Sequence, residues 1–128
     1  MNVLVYHRPI HKEFYEKLAE TCFPNATVLT ISDFGDSADI WLGKSIKNNN
    51  INPLAIFNEK EKEEIFLRCR FLRNIDKSKA YELIEKMSVV IQDILIKYNP
   101  SFIIGAVIDN YTMDILERLA KKEQIPYI

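Results

Sequence analysis

The chain is poor in glycine. It has three, Gly35, Gly43 and Gly105, among 128 residues. Phosphate cradles need clustered glycines, because only a backbone without Cβ atoms can turn consecutive N–H groups onto an anion at close range. No GxGxxG or Walker pattern occurs, so a classical dinucleotide or P-loop nucleotide site is not expected. HExxH and GxSxG are also absent, which removes the common zinc-protease and serine-hydrolase signatures.

Cysteine is equally scarce. Cys22 and Cys69 form neither a CxxC pair nor a metal set, and no metal site is expected. Each falls on the apolar side of an expected helix and reads as a buried free thiol. Excess charge of one sign is missing as well. The net charge is −1, so nothing resembles the electrostatic footprint of a nucleic-acid or membrane-surface binder. A local basic cluster can still hold one anionic group. No apolar run approaches the roughly 20 residues of a membrane span. The opening Met1-Asn2-Val3-Leu4-Val5-Tyr6 is too short, and lacks the basic flank, for a signal sequence. A cytoplasmic protein is expected, or one at the cytoplasmic face of a membrane process.

What the chain does contain is alternation. Val3–Tyr6 is a short apolar run suited to a central strand covered on both faces, and Pro9 ends it. A helix is expected from Ile10 to Cys22, with Phe14, Leu18 and Cys22 as its buried stripe. Ala26–Ile31 is a β-branched second strand. Ile40–Ile46 fits either a short helix or a strand, Lys47–Asn50 a polar turn, and Leu54–Phe57 a third strand.

Asn58 with Glu61 forms a capping-box pattern opening a helix. Glutamates crowd its early turns and Arg68, Arg70 and Arg73 its last, which complements the helix dipole. Ile65, Cys69 and Leu72 are its apolar stripe. Asp76 or Ser78 caps the next helix, which runs to about Tyr98. There Ala80, Leu83, Ile84, Met87, Ile91, Ile94 and Leu95 give the clearest helical period in the sequence. Phe102–Ile108 is an almost wholly apolar strand. A helix follows to about Glu123, and Ile125–Ile128 begins a further strand.

This order implies right-handed crossovers and a Rossmann-like α/β three-layer sandwich, with a mostly parallel sheet of four to five strands. Residues 1–128 are expected to form one such domain. A four-residue terminal strand is a poor finish for a sheet, so the chain reads as the N-terminal part of a longer two-domain enzyme.

In open α/β sheets the ligand sits beyond the carboxyl ends of the strands, where the strand order reverses. That rule selects His7-Arg8, the loop Ser32–Asp36, and Asp109–Thr112. His7 suits a general base or a donor to a sugar hydroxyl, or else a solvated loop position. Arg8 suits a phosphate or carboxylate, or the surface. Asp109 can orient or deprotonate a hydroxyl, or cap the following helix. Asn110 and Tyr111 rank second. Asp114 sits in the first helical turn, where the dipole alone accounts for an acid. Arg70 and Arg73 share a helix face and can form an anion site or a solvated, glutamate-paired helix end.

Two stretches carry a family resemblance. One is Arg68-Cys69-Arg70-Phe71-Leu72-Arg73 leading into the long helix. The other is Asn99-Pro100-Ser101-Phe102-Ile103-Ile104-Gly105, then Ile108 to Leu116, Ala120 and Gln124-Ile125-Pro126-Tyr127-Ile128. Together they resemble the N-terminal domain of bacterial capsule and surface-polysaccharide glycosyltransferases of the two-Rossmann (GT-B) type. The second stretch also resembles UDP-N-acetylglucosamine 2-epimerases. There the acid follows the glycine directly, whereas Asp109 comes four residues after Gly105. The glycosyltransferase resemblance implies a domain that binds a carbohydrate acceptor and carries no cofactor. The sugar-nucleotide donor would sit on a C-terminal domain of the same chain, with peripheral membrane association of the full enzyme. Asp109 and His7 would face the cleft. A stand-alone flavodoxin-like or receiver-like module is the alternative. His7-Arg8 stands where a receiver needs acids and a flavin module needs a Ser/Thr/Gly-rich loop.

Overall fold

The computed structural model describes residues 1–34, 38–48, 56–105 and 110–128. Four strands, β1 (Asn2–Tyr6), β2 (Thr27–Ser32), β3 (Ile40–Trp41) and β4 (Phe102–Ile104), form one sheet in the order β3-β2-β1-β4. Every pairing is parallel. The backbone bonds of Ile103 and Gly105 with Pro126 and Ile128 add a rudimentary fifth strand beside β4. The fold is Rossmann-like α/β, as the alternation predicts. Its strand order is that of a dinucleotide-type half and differs from the flavodoxin order 2-1-3-4-5.

Successive side chains of a strand point to opposite faces, and β1 divides the core accordingly. Val3 and Val5 pack with Ile104 against α1 (Lys12–Cys22), which a 3-10 turn at Pro9–His11 precedes. Leu4 and Tyr6 belong to the larger core on the other face. That layer comprises α2 (Leu42–Asn48), α3 (Glu59–Arg68), α4 (Arg70–Arg73), α5 (Lys77–Tyr98) and α6 (Tyr111–Lys122). The result is three layers, with one helix on one side and five on the other among the described residues.

Several local expectations change. The buried side of α1 is Tyr15, Leu18 and Ala19, while Phe14 and Cys22 are exposed. The patch that α1 covers is small, and the methyl of Ala19 lets the helix approach it closely. The third strand is Ile40–Trp41, and α2 starts at once after it, so this stretch is both strand and helix. Asp39 fixes it by accepting from the Thr30 amide at 2.9 Å and the Thr30 hydroxyl at 3.0 Å. Of the expected strand Leu54–Phe57, residues 54 and 55 lie outside the described residues, and Ile56 and Phe57 are not in a strand. The helix opened by Asn58 is interrupted at Cys69, whose backbone is extended (φ −108°, ψ 112°). Its capping box is complete, and Asp76 caps α5.

Candidate functional site

β1 and β4 are sheet neighbours separated by most of the chain, so the strand order reverses between them. The crevice predicted by that reversal lies beyond Tyr6 and Ile104. Tyr6 ends β1 on the face of the five-helix layer and is fully buried. Its hydroxyl donates to Oδ2 of Asp33, the first residue after β2, at 2.5 Å. The Asn110 amide nitrogen lies 3.4 Å from that same carboxylate oxygen and 3.4 Å from the Tyr6 hydroxyl. Asn110 Oδ1 accepts from the Met113 amide at 3.0 Å and so caps α6. One amide side chain thus ties together the ends of β1 and β2 and the start of a helix.

The main chain of Asp33 is fixed too. Its carbonyl accepts from the Trp41 indole at 2.9 Å. Gly43 makes this possible, since a Cβ there would stand 2.8 Å from the Asp33 carbonyl and 3.0 Å from the indole nitrogen. Beside this cluster lies a cavity of about 570 Å³. Phe34, Trp41, Phe71 and Tyr111 give it aromatic walls, Ile46 and Met87 an apolar side, and Asp33, Asn110 and Lys47 its polar groups. A few convergent polar groups in an otherwise apolar hollow are the usual build of a small-molecule site.

Burial, and then the Asp33 charge, hold the Tyr6 phenol far above the ordinary tyrosine range, while Arg8 pulls weakly the other way. Burial and Asp33 raise Tyr111 likewise. Both phenols are therefore neutral at physiological pH, and that of Tyr6 is the donor to Asp33. Oδ2 of Asp33 receives two donors, the role of an ionised carboxylate.

Comparison with protein-family models, with curated proteins and with solved structures finds no match.

The structure brings some of the expected residues together and separates others. Asn110 and Tyr111 line the cavity. Asp109 lies outside the described residues. Its alternative role as helix cap falls to Asn110, whose side chain reaches the Met113 amide. His7 is completely buried rather than solvated, and it does not line the cavity. Its Nδ1 is 3.1 Å from the Arg8 carbonyl, and its Nε2 is buried with no hydrogen-bond partner. Continuing the alternation of Val3 and Val5, His7 follows the face opposite Tyr6. Arg8 is half-buried and close enough to Tyr6 to act on it through charge.

Arg70 and Arg73 are exposed on α4 and do not line the cavity, but Phe71 between them does. Asp114 is more than a dipole complement. It is 2% exposed and accepts from Arg118 Nε at 2.9 Å, with Arg68 at 3.5 Å. Arg118 also reaches Glu64 at 2.9 Å.

Sequence reasoning selected the Ser32–Asp36 loop without singling out Asp33, and it missed Tyr6, Trp41 and Phe71. The available signal was position, since Asp33 is the first residue past an apolar strand next to β1. Among the described residues no group of His, Cys, Asp or Glu is placed to hold a metal ion, and no helix is long and apolar enough to cross a membrane.

Proposed function

We propose that this domain binds a carbohydrate acceptor at the carboxyl edge of its sheet, as the acceptor side of a glycosyltransferase of surface-polysaccharide synthesis. The observation that carries the reading is the pairing of aromatic walls with a fixed carboxylate in one cavity. A sugar ring presents C–H-rich faces that stack on aromatic rings, and its rim of hydroxyls donates to carboxylates. Trp41 and Tyr111 offer the first contact and Asp33 the second. In transfer, Asp33 would accept the proton of the acceptor hydroxyl as that oxygen attacks the anomeric carbon of the donor. The nucleoside diphosphate would leave with the bonding electron pair. Asp33 thereby takes the part that the sequence suggests for Asp109. The glycine-poor chain offers no phosphate cradle, so the donor nucleotide would be held by another domain.

Trp41 is the only tryptophan of the chain and a wall of the cavity, so its emission reports occupancy. Titration with a panel of monosaccharides and disaccharides is expected to give a saturable change for at least one, abolished in Trp41→Phe and weakened about tenfold or more in Asp33→Ala. A panel that leaves both Trp41 emission and the indole NMR resonance unmoved would overturn the reading.

A further inference from the structure

The cavity beside Asp33 changes character from its inner end to its mouth. At the inner end the Asp33 carboxylate accepts from the fully buried Tyr6 and lies 3.4 Å from the Asn110 amide nitrogen. Phe34, the next residue along the chain, also lines the cavity, yet it is 61% exposed. Phe71 of α4, on the same cavity, is 56% exposed. Neither ring belongs to the two hydrophobic clusters that form the core. Folding therefore does not account for their being aromatic. A single exposed apolar side chain needs no explanation, but two large rings on one hollow, beside the half-exposed Trp41, mark a binding surface.

An occupant that suits both ends is amphiphilic, with hydroxyls for Asp33 and hydrocarbon for the two phenyl rings. We propose that the acceptor is a glycoside with a hydrocarbon aglycone, which lies against Phe34 and Phe71 while its sugar lies against Trp41 and Tyr111. The proposal rests on the carbohydrate reading above and deepens it. A volume of about 570 Å³ is in the range that holds a ligand with both parts. Covering the rings takes apolar surface of both partners out of water. Each methylene covered in this way multiplies affinity by about twofold to fourfold, the upper value for complete burial. The sugar enters first, so the hydroxyl that meets Asp33 is the one remote from the aglycone.

The test is a homologous series, methyl to hexyl glycosides of glucose, galactose, mannose and N-acetylglucosamine, titrated against the whole chain and read by Trp41 emission. For at least one sugar, affinity is expected to rise by about twofold or more with each added methylene. Phe34→Ser combined with Phe71→Ser should leave the methyl glycoside within about threefold and flatten the rise to less than about 1.5-fold per methylene. Affinity independent of chain length in the unaltered protein would overturn the aglycone contact and leave the sugar site standing. A rise of the same steepness in the double variant would overturn it too, since the chain would then lie elsewhere. Linear alcohols of the same lengths binding as tightly as the glycosides, or no glycoside binding at all, would overturn the carbohydrate reading and the proposal with it. If the double variant does not fold, the unaltered protein decides alone. Nuclear Overhauser contacts must then join the hexyl chain to the Phe34 or Phe71 ring, and contacts to neither would overturn the proposal.

Discussion

Asp33 and Asp114 are the same residue type used in opposite ways. Asp114 is nearly inaccessible, and a guanidinium lies against it, with a second one close by. Its charge is spent inside the protein, locking α6 to α3 through Arg118 and Glu64. Asp33 is held by a phenol and an amide, neither of which carries charge. It is fixed in place on the wall of a cavity. The lesson is that a buried acid is read by what surrounds it. A carboxylate sealed between guanidinium groups marks a joint, whereas one set on the wall of a hollow marks a candidate site.

The difference breaks most visibly at the joint. Arg118→Leu removes the strongest partner of a carboxylate that cannot reach water. Urea denaturation is expected to show a loss of about 3–5 kcal/mol, as for other buried pairs broken on one side. Replacing both members, Arg118→Leu with Asp114→Leu, should recover most of that loss. Binding at the Asp33 cavity should be unchanged wherever the variants remain folded. If Arg118→Leu proves nearly neutral, the seam is a surface decoration and the contrast with Asp33 fails.

At the cavity, Tyr6→Phe leaves the ring in place but deprives Asp33 of the 2.5 Å hydrogen bond from the phenol. A cost of about 1.5–3 kcal/mol is expected, typical of a bond to a charged group. The same variant has a pH signature. Tyr6 and Tyr111 are raised by burial, and Tyr127 is pushed up to about 12 by burial first. In the unfolded chain these phenols ionise near their ordinary value of about 10. The folded state therefore keeps the full stabilisation below about pH 10 and loses it as pH rises further. Urea midpoints measured from neutral to strongly alkaline pH should fall above that point, less steeply in Tyr6→Phe.

Gly43→Ala comes next in size. The added methyl meets the Asp33 carbonyl and the Trp41 indole together, so the indole hydrogen bond must lengthen. A cost of about 1–2 kcal/mol is expected, as in other overpacked positions. Red-shifted Trp41 emission in the folded protein would show that the wall has moved. An unshifted spectrum at full stability would mean that the close approach at Gly43 does not position the wall.

Much of this fold is legible in the sequence, for local reasons. The α3 capping box is written in Asn58 and Glu61, and the period of α5 is repeated often enough to define one face. β1 and β4 are apolar because a parallel strand is covered on both sides. What escapes is whatever depends on a neighbour. Phe14, Leu18 and Cys22 satisfy helical spacing as well as Tyr15, Leu18 and Ala19 do. Only the small patch of Val3, Val5 and Ile104 decides which set is inside. β3 is two residues long and is held by Asp39 on Thr30, a contact with no local signature. The same blindness hides Asp33. Asp33, Asp36 and Asp39 follow one another at intervals of three, and the bond of Asp33 to Tyr6 shows only when β1 and β2 lie side by side. His7 was drawn to the site by being next to a strand end, yet it stands one residue out of phase with Tyr6.

The finest test concerns Asn110, which serves both as helix cap and as bridge to the carboxylate. Asn110→Ala removes both roles. Losing the cap alone accounts for about 1 kcal/mol. Asn110→Ser keeps a cap oxygen but cannot span to Asp33 and Tyr6. At 3.4 Å those two contacts are long for hydrogen bonds, and each is expected to contribute little to stability. Serine should thus stay within about 0.5 kcal/mol of the unaltered protein. Binding should respond differently, because the amide helps to hold the carboxylate at the cavity. A serine variant with unaltered urea midpoint but weakened saccharide affinity would assign the amide to positioning Asp33. A serine variant as unstable as alanine would instead make the bridge part of the core, and Asp33 would then resemble Asp114 more closely than its place on the cavity wall suggests.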